Sequence, residues 1–382
     1  MQYRKMGKTG VEVSSLGFGC MRLPVHGGVT ENIDEEQTAA LFREAYDLGV
    51  NYWDTAYPYH GGKSEEAVGR TLKKLGIRNR IFLATKLPAW LVKGKDDLPR
   101  LLDEQLMRLQ TDHIDFYLMH NPDHDRWPAL WNAGMTEFID TAKAQGKIRF
   151  AGFSMHDNIH HFTKVLDSYP WDFTQLQYNY LDVRHQAGQE GVDLVRERGI
   201  GLVIMEPLKG GQLATRLPHD LVEKLYEAHP DRTPADWALR FVLNEGAVST
   251  ALSGMNAMSQ LQENIAVAER AGAGSLTAQE LALLGEIRES YHARQKVGCT
   301  SCMYCMPCPQ GVDIYGNFSR YNAYFMAKSE DAKSKLKAAF LAENDEDGPA
   351  KCIACGACLS KCPQGIDIPT QLKNCEAAFT QK

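Results

Sequence analysis

Short apolar runs and longer amphipathic segments alternate along the first three-quarters of the chain. The apolar runs are rich in β-branched and aromatic residues, which predicts strands. There are eight such runs: SSLGFGCM, GVNYWDTA, IFLATKL, HIDFYLMH, IRFAGFSM, DFTQLQYN, GIGLVIME and VSTALSGM. Because most of them are apolar along nearly their whole length, we expect both faces of the sheet to be buried.

The segments between these runs have helical spacing. In TAALFREAYDLG, the apolar residues Leu41, Phe42, Ala45 and Leu48 recur with helical spacing on one face, which predicts an amphipathic helix. SEEAVGRTLKKLG predicts another, with Ser64 as N-cap, acids in the first turn, lysines in the last turn and Gly76 at the C-terminus. PADWALRFVLN and SQLQENIAVAER predict two more helices.

Strands that alternate with helices predict parallel pairing through helical crossovers. Eight such units favour a closed (β/α)₈ barrel, which we assign to residues 1–280. An open doubly wound sheet is the alternative. From about residue 298 the composition changes, and we predict that residues 281–382 form a connecting helix followed by a small, mainly α-helical ferredoxin-like domain.

Composition and charge narrow the class of protein. The chain has 382 residues, 44% of them hydrophobic, and a formal net charge of −6. An acidic balance argues against a nucleic-acid or anionic-membrane partner. The N-terminal stretch has no apolar core and no run is long enough to span a bilayer, so we expect a cytoplasmic protein. In a reducing compartment, clustered cysteines bind metal more often than they form disulfides.

Two cysteine runs, CTSCMYCMPCP and CIACGACLSKCP, lie in the tail. Three closely spaced cysteines can wrap one [4Fe–4S] cluster, while the cysteine before the proline ligates the neighbouring cluster. The runs therefore predict crossed ligation of two clusters: Cys299, Cys302, Cys305 and Cys362 for one, and Cys352, Cys355, Cys358 and Cys308 for the other.

Two structural zinc sites are the alternative, since zinc also takes four thiolates. Zinc ribbons, however, usually show two separated CxxC pairs. The spacing before Cys308 is one residue shorter than before Cys362, so the ligation around Cys308 stays open. Cys20 and Cys375 are left over as small buried hydrophobes. The tail resembles the dicluster ferredoxin-like domains that are attached to larger redox enzymes.

Ionisable residues stand at the ends of successive predicted strands. Asp54 closes the second strand, Lys86 the third and His120 the fourth, and Tyr59 follows Asp54 by five residues. Active sites of such barrels lie at the carboxyl ends of the strands. Each residue alone has an ordinary explanation, as a helix cap, a rim aromatic, a snorkelling lysine or a core histidine.

Together these four residues suit the reduction of a carbonyl group. Hydride addition leaves an oxyanion that needs a proton, and a tyrosine keeps its proton at neutral pH. An adjacent ammonium stabilises the phenolate, so Lys86 would make Tyr59 a better acid. Asp54 would hold Lys86 and offset the cost of burying it, and His120 would donate a hydrogen bond that orients the carbonyl.

Several motifs resemble the aldo-keto reductase family through most of residues 1–270. They are GKTGVEVSSLGFGCMRL, DTAYPYHGGKSEEAVGRTL, LATK, HIDFYLMHNP, GFSMHD, QLQYN, MEPLKGG and LQENI. Together with the tail, they are similar to the subgroup that carries a C-terminal ferredoxin-like [4Fe–4S] domain. Asp54, Tyr59, Lys86 and His120 match the family tetrad one by one. The resemblance implies NAD(P)H-dependent carbonyl reduction.

The resemblance also implies which residues bind a nicotinamide dinucleotide. The carboxamide contacts fall on Ser154 and Gln175 and the adenine-side contacts on Glu263 and Asn264. The remaining implied contacts are Gly19, Met21 and Asp54 near the nicotinamide, Met205 at its ring face, Leu208 and Gly210 in the pyrophosphate loop, and Gln260 near the adenosine phosphate.

Three positions depart from the family pattern. Met155 stands where the family usually has asparagine, Met205 where many members stack a tyrosine, and Gln260 where an arginine often grips the 2′-phosphate of NADP. Lys209 is the nearest cation that could substitute. The preference for NADP over NAD therefore stays open.

Three functions remain after these observations. The first is an NAD(P)H-dependent aldo-keto reductase with two clusters for electron transfer and a small-molecule carbonyl substrate. In the second, a ferredoxin or flavoprotein partner feeds electrons through the clusters; a flavin would convert between one- and two-electron carriers, although we find no flavin motif. The third is a nicotinamide-binding sensor module whose tail docks a partner.

Overall fold

The computed structural model of this chain describes residues 1–380, with the side chains of residues 343–346 excepted. Its strands are β1 (Tyr3–Lys5), β2 (Glu12–Ser14), β3 (Leu16–Gly19), β4 (Tyr52–Asp54), β5 (Phe82–Pro88), β6 (Ile114–His120), β7 (Ile148–Met155), β8 (Phe173–Gln177), β9 (Gly201–Met205) and β10 (Thr250–Ser253). Strands β3 to β10 form a closed parallel barrel in the order β10-β3-β4-β5-β6-β7-β8-β9. The predicted barrel is confirmed, and the open sheet is wrong.

The first two strands form an antiparallel hairpin that the sequence pattern did not predict. Each strand has three residues, too few to show an alternation, and Arg4 pairs with Val13 across the hairpin. Met6 and Val13 are fully buried in one apolar cluster with Tyr52, Phe116 and Phe173. Tyr52 and Phe173 are the first residues of their strands. The hairpin therefore packs at the amino ends of the barrel strands, which leaves the carboxyl ends for chemistry.

The helices are α1 (Glu35–Asp47), α2 (Ser64–Leu75), α3 (Asp97–Leu109), α4 (Trp127–Asn132), α5 (Met135–Ala144), α6 (Ile159–Leu166), α7 (Gly188–Arg198), α8 (Gln212–Thr215), α9 (His219–Ala228), α10 (Pro234–Asn244), α11 (Met258–Arg270), α12 (Ala278–Arg294), α13 (Ile314–Met326), α14 (Glu330–Asp347) and α15 (Ile368–Thr380). The four predicted helices are found as α1, α2, α10 and α11.

The start of α2 differs from the prediction. Ser64 is the first helical residue rather than the N-cap, and Lys63 precedes it without a side-chain cap. The Ser64 hydroxyl instead lies 2.9 Å from the Thr55 hydroxyl and donates to the Cys20 carbonyl at 3.0 Å. Ser64 thus ties α2 to the ends of two barrel strands. The prediction for Gly76 is correct, because it caps the helix in the left-handed conformation.

Contacts divide the chain into two compact units. The first comprises Met1–Leu208 and Ala235–Thr277, and the second comprises Lys209–Pro234 and Ala278–Lys382. The predicted domain boundary at residue 280 stays a prediction, and its residues 381–382 lie outside the described part of the chain.

The second unit is helical. Its described residues form α8, α9 and α12 to α15. Its core includes Val312, Phe318, Phe340, Leu372 and Phe379, and the rings of Phe340 and Phe379 stack at 3.9 Å. Over residues 1–380, no helix has the length and apolar character that crossing a bilayer requires.

Candidate functional site

Four predicted residues meet at the carboxyl end of the barrel. Asp54 is the last residue of β4 and His120 the last residue of β6, as expected, whereas Lys86 lies two residues before the end of β5. Tyr59 begins a short 3₁₀ turn after β4. All four side chains are buried. The site is therefore assembled from three neighbouring strands and one loop.

Lys86 is the centre of this group. Its ammonium donates to Asp54 Oδ1 at 2.6 Å, to the Thr55 carbonyl at 2.8 Å and to the Tyr59 hydroxyl at 3.2 Å. An ammonium has three donors and no acceptor, so all three donors are engaged. Tyr59 accepts the bond from Lys86, so its hydroxyl oxygen lies directly against a positive charge.

Each charge of the buried Asp54–Lys86 ion pair opposes the pKa shift that burial causes in the other. Burial raises the pKa of Asp54, which the Lys86 charge opposes. Burial also lowers the pKa of Lys86, which the Asp54 charge opposes. Removing one member would leave an uncompensated buried charge. The Cys20 thiol beside this pair is fully buried and its pKa is raised well above the usual value, mainly by burial, so it adds no charge.

His120 faces Tyr59 edge to face, with ring centroids 6.5 Å apart. Burial, together with the charge on Lys86, holds the pKa of His120 well below its usual value. The ring is therefore neutral at physiological pH, and a neutral imidazole carries one N–H donor. Its Nδ1 is buried and has no hydrogen-bond partner. Trp90 lies 5.2 Å from the His120 ring and forms a wall that the sequence analysis did not identify.

A second buried carboxylate, Glu65, was also missed. It is fully buried and accepts hydrogen bonds from the Thr85 hydroxyl and the Gln105 amide, both at 2.6 Å. Gln105 also donates to the Lys86 carbonyl at 3.0 Å. Glu65 thus positions the strand that carries Lys86. Its spacing from Val68 and Leu72 places it on the buried face of α2, a signal available in the sequence.

Strand register aligns the predicted carboxamide contacts with His120. His120 pairs with Ser154 between β6 and β7, and Ser154 pairs with Gln175 between β7 and β8. Gln175 Oε1 is buried and has no partner, while its amide nitrogen lies 3.6 Å from Met205 Sδ. An unpartnered acceptor beside the tetrad fits the N–H₂ group of a nicotinamide carboxamide. Met155 follows Ser154 as the last residue of β7.

The nicotinamide-end and adenine-side predictions fall around β3, β10 and α11. A Cβ on Gly19 would stand 3.3 Å from the Ser253 carbonyl, so the backbones approach closely there. Asn264 is buried and donates to the Ser253 hydroxyl at 3.1 Å. Gln260 is exposed and accepts from the Asn256 backbone. Met21 lies in a 3₁₀ turn directly after β3.

The remaining predicted contacts lie on α11 and in the segment after β9. Glu263 is half-buried on α11, and Leu208 is half-buried in the loop after β9. Gly210 and the buried Lys209 belong to the second unit, and both adopt positive φ angles.

The pKa shifts of two thiols indicate which cysteines lie near them. Burial raises the pKa of Cys305 to about 12, and the thiols that raise it further are Cys302, Cys299 and Cys362. Burial also raises the pKa of Cys358, and the thiols that add to this are Cys352, Cys308 and Cys355. Each of these two neighbourhoods thus combines three cysteines of one run with the pre-proline cysteine of the other run, and the crossed ligation itself stays a prediction.

Both runs follow the same backbone path. In the first run Ser301 and Met303 have positive φ angles, and in the second Ala354 and Gly356 do. These residues flank the middle cysteine of each triplet. Left-handed residues are costly except for glycine, so the repetition is a built feature. Turns of this kind point N–H groups inward to form a nest that suits an anionic iron–sulfur group, and the residues therefore fit such a group.

The two leftover cysteines are both fully buried. Cys375 packs in the core of the second unit and lies 3.7 Å from the Asn317 carbonyl. Among residues 1–380, no set of three or more His, Cys, Asp or Glu side chains is gathered to hold a single metal ion.

Two family models match the chain. The model of the aldo/keto reductase family matches residues 15–289, and the model of a 4Fe-4S dicluster domain matches residues 298–366. The chain therefore belongs to the aldo/keto reductase family and carries a C-terminal 4Fe-4S dicluster domain. The predicted family and tail are confirmed, and the match of the tail favours iron–sulfur clusters over zinc.

Individual relatives agree with this assignment. L-galactose dehydrogenase of Arabidopsis thaliana is 29% identical over 70% of this chain and 88% of its own. A candidate voltage-gated potassium channel β subunit of Schizosaccharomyces pombe is 26% identical over 70% of this chain and 88% of its own. Among solved structures, the holo form of aldo-keto reductase AKR11C1 from Bacillus halodurans is 30% identical with a TM-score of 0.64, covering 75% of this chain and 96% of its own.

Proposed function

We propose that this protein is an NAD(P)H-dependent carbonyl reductase in which Tyr59 is the general acid, and that its eight paired cysteines hold two [4Fe–4S] clusters for electron transfer. The observation that carries the first part is the Lys86 ammonium, which lies between the Asp54 carboxylate and the Tyr59 hydroxyl. The second part is supported by the thiols that lie near Cys305 and near Cys358, which in each case come from both runs.

A bound reduced nicotinamide supplies the hydride, and Ser154 and Gln175 would hold its carboxamide. The residues of the chain manage the proton. The neutral His120 ring orients the carbonyl oxygen by donating a hydrogen bond. As negative charge develops on that oxygen, the Tyr59 hydroxyl transfers its proton to it. Lys86 then stabilises the phenolate that remains on Tyr59, because its ammonium already donates to that oxygen.

Burial strengthens this arrangement. All four side chains lie inside the barrel mouth, where the low dielectric makes each charge interaction stronger than in water. Asp54 keeps Lys86 protonated in spite of this burial, and Glu65 fixes the strand that carries it through Thr85 and Gln105. The Tyr59 proton is thus held ready for transfer without rearrangement.

The test of the barrel chemistry is a pair of conservative tyrosine variants. We expect Tyr59→Phe to lower NADPH-dependent reduction of a test aldehyde by ~10²–10⁴-fold, the usual contribution of a general acid. Dinucleotide affinity, measured by fluorescence titration, should stay within a few-fold of wild type. Tyr57→Phe is the matched control, because Tyr57 bonds Glu104 and packs against Arg108. Equal turnover in both variants would refute the role of Tyr59.

The test of the tail is anaerobic purification with iron and sulfide analysis and an absorption spectrum. The proposal expects iron and sulfide in equal amounts and a visible band that dithionite bleaches. Zinc without sulfide would contradict it. The same spectrum would reveal a bound flavin, and addition of NADPH would show whether the nicotinamide exchanges electrons with the clusters.

A second candidate function is a nicotinamide-binding regulatory module. Similarity to the candidate channel β subunit favours it, since that relative shares the barrel but is named for a partner rather than a reaction. It expects tight dinucleotide binding with negligible turnover on every aldehyde tested. Rapid turnover that depends on Tyr59 would exclude it.

A further inference from the structure

The two cysteine runs differ in exposure. Of the eight predicted ligands, all within the described chain, only Cys355 is exposed. Six of the others pack against the helical core of the second unit. In the first run, the Gln212 amide of α8 donates a hydrogen bond to the Cys299 carbonyl. The second run therefore carries the most exposed of the eight predicted ligands, and we call the set that contains Cys355 the outer set.

Large apolar side chains surround the exposed cysteine. Ile353 is 65% exposed and Leu359 is 45% exposed. Ile353, Cys355 and Lys361 line one small depression. Leu359 belongs to the same surface, since its Cδ1 lies 3.7 Å from the Cβ position of Gly356. Apolar side chains that share one exposed surface are typical of a protein–protein interaction site.

The charge of this surface opposes that of the whole chain. Residues 349–366 contain Lys351 and Lys361 and no acidic residue, although the formal net charge of the chain is −6. Lys361 is exposed and lies beside the depression. An apolar surface flanked by a lysine is complementary to an acidic protein surface, because charge steers the encounter while apolar contact holds the complex.

We propose that the outer surface formed by Ile353, Cys355, Leu359 and Lys361 is the docking site for a small acidic electron-carrier protein of the ferredoxin class. The proposal rests on the proposed function, because it takes the cysteines to hold iron–sulfur clusters. Interfaces between redox proteins are typically small. This surface is small, and it brings a partner directly over the most exposed ligand of the outer set.

The test is binding of a purified acidic [2Fe–2S] ferredoxin to the anaerobically prepared holoprotein, measured by isothermal titration at low ionic strength. Ile353→Glu and Lys361→Glu should each raise the Kd at least tenfold. Affinity for the wild type should fall with added salt, and Lys361→Ala should flatten that dependence. Leu341→Glu is the matched control, because Leu341 is 47% exposed on α14 of the same unit; it should bind as the wild type does.

Iron and sulfide content and dithionite bleaching of each variant separate the two hypotheses. Variants that keep wild-type iron but lose ferredoxin affinity support the docking surface. Wild-type affinity in both Glu variants would overturn it while leaving the clusters in place. Equal loss of affinity in Leu341→Glu would also overturn it, as would variants that change only self-association. A wild-type protein without iron would instead refute the cluster assignment itself.

Discussion

The barrel mouth and the cysteine-rich tail bring reactive side chains together in opposite ways. In the barrel, Asp54 and Lys86 are 32 residues apart in sequence and lie on adjacent strands. In the tail, Cys352, Cys355 and Cys358 fall within seven residues on one turn. The first site is made by topology and the second mainly by local spacing.

The two sites also differ in how their polar atoms are satisfied. Each donor of Lys86 is used within the protein, and the ion pair is excluded from solvent. The thiols are only partly buried and Cys355 is exposed. A site whose groups satisfy one another should fail as a unit when one is removed. When one cysteine is removed from a site built on two separate turns, one cluster should be lost and the other should remain.

The largest effect should follow removal of the charge at the centre of the barrel site. Lys86→Met leaves the Asp54 carboxylate buried without its partner, so we expect a loss of about 3–5 kcal/mol in the free energy of unfolding. Turnover should fall by ~10²–10⁴-fold. Denaturant unfolding and steady-state kinetics measure both. Iron content should not change, and a loss of iron in this variant would break the distinction between the sites.

Removing one predicted cluster ligand should affect only one of the two clusters in the tail. Cys362→Ser takes one thiol from the set of Cys299, Cys302 and Cys305, so we expect about half of the iron and sulfide to be lost. Carbonyl reduction at the barrel should persist, since it needs none of these thiols. Cys375→Ser is the control, because Cys375 is buried away from both sets. Full iron retention in Cys362→Ser would show that Cys362 is not a cluster ligand.

The smallest expected effect is on the pH dependence of the free energy of unfolding. Burial lowers the pKa of His156 to about 4, below its ordinary value of 6.5, and the pKa of His120 moves the same way. Between pH 6.5 and about 4 the unfolded chain binds a proton that the folded His156 does not, so stability falls as the pH falls.

For His156 this loss amounts to about 3 kcal/mol at most. His156→Gln should flatten the dependence of unfolding free energy on pH over that window, as denaturant unfolding at pH 7 and pH 5 would show. His160→Gln, at an exposed position on α6, is the control and should leave the slope unchanged. An unaltered slope in His156→Gln would mean that other groups dominate the acid response.

Sequence alone determined the features that depend on local periodicity and spacing. Eight strands, four of the helices and the two cysteine turns follow from patterns that a few neighbouring residues contain. The tetrad could be predicted because strand ends of a closed parallel barrel converge at one mouth, whatever the helices between them.

Only the tertiary structure decided which polar groups are buried and what satisfies them. In the sequence, Glu65 has the pattern of an ordinary acid in the first turn of a helix. In the fold, the amide of Gln105, 40 residues away, donates a hydrogen bond to its buried carboxylate. The β1–β2 hairpin and the position of Ser64 likewise depend on contacts with distant strands. The greater exposure of Cys355 compared with the other predicted ligands also results from packing with distant residues. Burial is a property of the whole packed chain, so no local pattern can specify it.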